Sequence, residues 1–123
     1  MADAPERVEK PWGYELIWAR TDRYVGKILH IDRQHSLSYQ YHRVKDETIH
    51  LLRGLVDLEV GTPDGERRVV RMNPGDSFRI PAGMRHRMTA VEDSDLLEAS
   101  TPELDDVVRL EDRYGRAPGG DKT

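Results

Sequence analysis

The chain predicts a single all-β domain, a sandwich or barrel, and three features of its sequence carry that prediction. Branched, aromatic and aliphatic residues fall into short runs that alternate with polar ones, as half-buried strands require. The runs are closed by turn signals, among them Thr62-Pro63-Asp64-Gly65, Asn73-Pro74-Gly75-Asp76 and Pro81-Ala82-Gly83. No segment keeps a convincing helical period, so seven or eight short strands punctuated by turns account for the chain.

Taken in order, residues 1–8 are polar and read as a tail. Pro11 fixes its backbone angle and Gly13 permits a tight bend, after which Tyr14 to Trp18 reads as a strand that packs on, or exchanges onto, a sheet edge. Tyr24 to Ile31 alternates, with Lys27, Leu29 and Ile31 on one face and Ile28 and His30 on the other. Lys27 either lies near a strand end and extends to solvent or holds its ammonium at the edge of an interior cavity. Thr48 to Val60 forms a strand pair bent at Arg53-Gly54, and Leu51, Leu52, Leu55, Val56, Leu58 and Val60 supply a barrel wall. Further strands run over Glu66–Met72, Ser77–Ile80, His86–Val91 and Leu96–Ala99. Val107, Val108 and Leu110 suit a short helix or an extended arm, Arg113-Tyr114-Gly115-Arg116 ends the structured domain of residues 9–116, and residues 117–123 form a loose tail.

The stretch Ser36 to Gly54 holds the chemistry. Gln40 and His42 share one strand face, and a turn through Arg43 to Asp46 returns Glu47 beside them. His86, after the Pro-Ala-Gly turn, is where a fourth ligand would come from in a closed barrel. Two imidazoles, a carboxylate and an amide oxygen suit a divalent metal, zinc first, with iron, manganese, cobalt or nickel as alternatives. His42 and His86 taken singly each suit a core hydrogen bond; their placement together with Gln40 and Glu47 points to metal. His30, His35 and His50 fall outside the pattern, and His50 has the opposite parity from Glu47.

Composition narrows the class. At 123 residues the chain is long enough for one core, and with no cysteine it offers no thiolate ligand, cysteine nucleophile or disulfide. No run of apolar residues reaches membrane-spanning or signal-peptide length, so a soluble, cytoplasmic protein with no membrane partner is expected. With 19 basic and 23 acidic side chains, net charge -4 and scattered arginines, nucleic-acid binding has little support. Small barrels have edges to cover, and the Tyr14 to Trp18 strand is free to pair with a second copy, so a homodimer is expected.

These motifs carry a resemblance. PWG at Pro11, LSYQYH from Leu37 to His42, Glu47, Gly54, NPGDSFRIPAGMRH ending at His86 and DVVRLEDRYGR ending at Arg116 resemble, in order, a cupin of the type II mannose-6-phosphate isomerase group. The same domain stands at the C-terminus of bifunctional mannose-1-phosphate guanylyltransferases. The resemblance implies a single-domain cupin, a double-stranded β-helix or jelly-roll barrel with N- and C-terminal arms. It also implies a metal held by Gln40, His42, Glu47 and His86, with Gln40 standing where most cupins have a histidine. Ile49 and Ala90 depart from residues common in cupins, an aromatic and an asparagine.

The activity so implied is metal-dependent aldose-ketose interconversion of a sugar phosphate or sugar through an enediol. Glu98 is then the candidate base, and Lys27, Arg87 and Arg116 are candidate phosphate cations, Arg87 ranking below the others because it follows His86 and points outward. A metal-dependent oxygenase and a non-catalytic sugar-binding module remain the alternatives.

Overall fold

The structure, a computed structural model, describes residues 4–117. Eleven strands and no helix make up the described chain: β1 (Glu6–Lys10), β2 (Gly13–Arg20), β3 (Val25–Ile31), β4 (Tyr39–Tyr41), β5 (Glu47–Arg53), β6 (Val56–Gly61), β7 (Arg67–Met72), β8 (Ser77–Ile80), β9 (Arg85–Ala90), β10 (Ser94–Ser100) and β11 (Val108–Glu111). They form two antiparallel sheets, one ordered β1-β2-β3-β10-β5-β8 and the other β11-β4-β9-β6-β7, as in a single-domain cupin barrel.

Alternation decides what lies inside. Glu47, Ile49 and Leu51 of β5, Val56, Leu58 and Val60 of β6, and His86, Met88 and Ala90 of β9 are the buried members of their strands. The interior is divided along these strands. Leu29, Ile31, Leu51, Leu58, Met88 and Leu96 fill one part as an apolar core, which also buries Ile49 and Ala90. The other part collects Lys27, His42, Lys45, Glu47, His86 and Glu98, all buried. Glu98 is the direct cross-strand partner of Lys27, and Leu96 that of Leu29, so the change from polar to apolar takes two residues on each strand. Such an interior holds together only if its charges pair with one another or with a ligand.

Several expectations are revised. The tail expected over residues 1–8 already contains β1 from Glu6; its exposed Arg7 and Glu9 give no apolar signal, and pairing with β2 makes the strand. The Tyr14 to Trp18 strand is not an edge, because β1 and β3 flank it on both sides. Leu52, assigned to the barrel wall, is 47% exposed, having the opposite parity from Leu51. Of the short helix and the extended arm considered for the segment after Val107, the extended form is found, as strand β11 paired with β4. Ala117, placed in the C-terminal tail, is buried; residues 118–123 of that tail and residues 1–3 lie outside the described residues.

Candidate metal centre

Local sequence places each ligand. The Pro81-Ala82-Gly83 turn docks beside the end of β4, where the Gly83 amide donates to the His42 carbonyl at 2.8 Å. Three residues on, the His86 Nδ1 lies 3.0 Å from the Met84 carbonyl. His42 Nδ1 lies 2.5 Å from the Asp106 carbonyl, on the segment that leads into β11. A carbonyl can only accept, so each Nδ1 carries its proton and each Nε2 presents a lone pair. Both lone pairs point to one carboxylate oxygen: Glu47 Oε1 is 3.5 Å from His42 Nε2 and 3.4 Å from His86 Nε2.

This arrangement fits a metal ion. Both Nε2 atoms are buried and have no hydrogen-bond partner among the described residues. Acceptors facing acceptors in a dry interior are unfavourable unless a cation lies between them. Ligands about 2.1 Å from one ion at tetrahedral angles are about 3.4 Å apart, the spacing found here. The ligating atoms of His42, Glu47 and His86 all lie within 4.8 Å of one another. Gln40 stands opposite His86 in register and lines the same cavity; its Oε1 accepts from the Ser38 hydroxyl at 2.5 Å.

A cavity of about 250 Å³ adjoins the cluster. Lys45, expected only as part of a turn, reaches into it and bridges Glu47 Oε2 at 3.1 Å and Glu98 Oε2 at 3.0 Å. Burial opposes the Lys45 charge, but the Glu98 and Glu47 carboxylates outweigh it and hold the ammonium above its usual range. Burial likewise opposes charge on Glu47; the His42 and His86 rings that face it and the Lys45 charge nevertheless keep it well below the usual carboxylate range. Glu98 goes the other way, raised by burial and by the neighbouring Glu47 charge. Two carboxylates either side of one ammonium thus have opposite proton affinities, a division suited to acid-base chemistry.

The remaining expected residues divide. Lys27 is buried at the cavity wall, on the interior side of the two positions considered, and donates to Glu15 Oε1 at 3.1 Å. Arg116 lines the cavity while its guanidinium is engaged by the fully buried Asp112. Arg87 points away and pairs with Glu59 at 2.6 Å and Glu111 at 3.2 Å, so it is not a cavity cation. His50 bonds to Ser77, and His30 lies between Asp95 and Asp32 outside the cavity.

Sequence reasoning missed Lys45, Glu15, Asp106 and Arg109. Lys45 shares parity with Glu47, and Arg109 shares parity with Val107, which was the available signal. The Asp106 carboxylate accepts from the amides of Arg43, Val44 and Lys45 at 2.7–3.0 Å, which shapes the turn carrying Lys45. Those amides, Lys45 first, hold Asp106 down at about 2.

Comparison with known proteins follows the geometry. No curated protein sequence matches the chain. Among solved structures it is similar to KdgF from Halomonas sp., at 25% identity and a TM-score of 0.68 over 81% of this chain and 90% of that one. It is similar in fold to the capsular polysaccharide assembling protein CapF from Staphylococcus aureus, at 16% identity and TM-score 0.72, covering 86% of this chain and 34% of that one. The oxalate decarboxylase of Bacillus subtilis superposes with TM-score 0.77 at 13% identity, covering 96% of this chain and 35% of that enzyme. The chain thus spans about a third of the length of those last two proteins. Residues 28–98, more than half of the sequence, match the family described as Cupin domain, and the chain belongs to the cupin family.

Proposed function

We propose that the chain is a metal-dependent isomerase that moves a proton between adjacent carbons of a sugar or sugar phosphate, in the manner of the mannose-6-phosphate isomerases it resembles. The observation that carries the reading is the meeting of two partnerless imidazole Nε2 atoms on Glu47 Oε1, beside a buried Glu98 with raised proton affinity. His42, Glu47 and His86, with Gln40, would hold a divalent ion, zinc first among the candidates. Once bound, that ion supplies the Lewis acidity that polarises the C1 and C2 oxygens of an open-chain sugar.

The protein's own groups do the rest. Glu98 accepts the proton from C2 of the aldose and returns it to C1, while the O2 hydroxyl proton passes to O1, so the ketose has the same atoms and charge as the aldose. Lys45 fixes the Glu98 carboxylate and balances its charge. Lys27 and Arg116, each oriented by an acid, offer N–H groups to substrate oxygens along the cavity wall.

Two histidines and a carboxylate with open positions also make up the ligand set of non-haem iron oxygenases, which gives a second reading a specific basis. One pair of measurements separates them: elemental analysis of the purified protein, and deuterium uptake from solvent into a panel of free and phosphorylated aldoses. Bound divalent metal with label entering at C1 or C2 is expected. Iron with substrate-dependent oxygen consumption and no label would favour the oxygenase, and sugar binding without either would leave a binding module.

A further inference from the structure

Lys27 and Glu15 form an ion pair at 3.1 Å with side chains only 7% and 12% exposed, and both border the cavity. Taking two charges out of water for one contact adds little to stability, so the pair is explained better by what the cavity holds than by what the fold gains. The protein leaves most of its hydrogen-bonding capacity unused. An ammonium carries three N–H groups, and the one hydrogen bond that Lys27 Nζ makes among the described residues goes to Glu15 Oε1. Glu15 Oε2 has no hydrogen-bond partner among the described residues. Free donors and a free acceptor therefore stand side by side on the cavity wall.

Register places them relative to the chemistry. Lys27 on β3 is the direct partner of Glu98 on β10, and Glu15 on β2 is the direct partner of Leu29, two residues along from Lys27. With strands about 4.8 Å apart, β2 runs roughly 10 Å from β10. Glu15 thus meets the end of a ligand remote from the carbons that Glu98 reaches. Apolar side chains frame the pair: Glu15 lies between Val8 and Leu29 in register, Ile17 is the direct partner of Lys27, and Trp12 also borders the cavity. Polar atoms confined to one spot on an otherwise apolar wall fix a ligand's orientation, and the carbon skeleton of a sugar covers the rest.

We propose that Glu15 and Lys27 together bind two hydroxyl groups on adjacent carbons of the ligand, at the end away from the metal cluster. One hydroxyl donates to Glu15 Oε2, and its neighbour accepts from Lys27 Nζ. A charged group of either sign would meet its like within the pair, whereas hydroxyls both donate and accept. The proposal rests on the reading of the cavity as a sugar site, and adds that the tail of the sugar is an uncharged diol.

The test is calorimetric titration of the metal-loaded protein with mannose, 4-deoxymannose and 6-deoxymannose, for the native chain, for Glu15→Gln and for the double variant Glu15→Leu with Lys27→Met. In the native chain at least one deoxy sugar is expected to bind at least about tenfold more weakly than mannose, the weight of a hydrogen bond to a charged group. Loss with 4-deoxymannose places the diol at C4 and C5, and loss with 6-deoxymannose places it at C5 and C6. The double variant leaves no lone ion buried, so it should keep its metal content and melting temperature while binding all three sugars alike. Glu15→Gln, whose amide oxygen still accepts, should keep part of the discrimination. Discrimination that survives in the double variant, or a native chain that does not distinguish the three sugars, overturns the proposal. Label exchange into mannose without such discrimination would sink this inference and spare the isomerase, whereas discrimination through the pair without label exchange would do the reverse.

Discussion

At the scale of single residues, the centre is defined by protons that cannot move. Since His42 and His86 each commit Nδ1 to a backbone carbonyl, neither ring can turn its other nitrogen into a donor toward Glu47 without becoming charged. Replacing either by alanine is expected to lower bound metal to background in elemental analysis, because two side-chain donors of the buried cluster then remain. Glu98→Gln is expected to retain metal while losing at least about 100-fold in label exchange, since an amide of the same shape cannot accept the carbon-bound proton. Asp106 gives a test in pH. Its carboxyl is depressed to about 2 by three turn amides, so its stabilisation is fully present above the ordinary carboxylate range and is lost as pH falls through 2. Native protein and Asp106→Asn should therefore differ in denaturant midpoint above about pH 4 and converge toward pH 2. Of these residues, the candidate metal ligands could be singled out from the sequence because they sit at fixed parity around turns. Lys45 and Arg109 were not, because a cation's role depends on which acids reach it from distant strands.

At the scale of elements, turn chemistry was the readable part. Gly54 at the β5–β6 bend has φ of +99°, and a Cβ there would collide with Ser94 and the Asp93 backbone. Gly54→Ala is expected to cost about 1–3 kcal/mol, measurable as a lowered melting temperature with m-value unchanged. The strands with an apolar face were likewise visible as alternation, β6 and β9 most clearly. β1 and β11 were not visible as strands. Both lie at sheet edges and carry charged residues, Arg7 and Glu9 on one and Arg109 and Glu111 on the other, so their extended form comes from the neighbour they pair with.

For the whole molecule, the prediction that two copies associate passes to other strands. With β2 flanked on both sides, the free edges are β1 and β8 of one sheet and β11 and β7 of the other. We propose association through β1 or β7, the latter carrying exposed Val69, and expect a dimer in sedimentation at micromolar concentration that dissociates on Val69→Lys or on proline substitution in β1. A monomer in the native protein would remove dimerisation from the account.

The carbonyl of Asp106 on His42 and the pairing of β11 with β4 mean that a barrel assembled from the first ten strands still lacks part of its centre. A ribosome working from the N-terminus delivers these groups after the other ten strands. Nascent chains should consequently acquire metal only once β11 has left the ribosome, and a chain stopped after β10 would lack the carbonyl that orients His42.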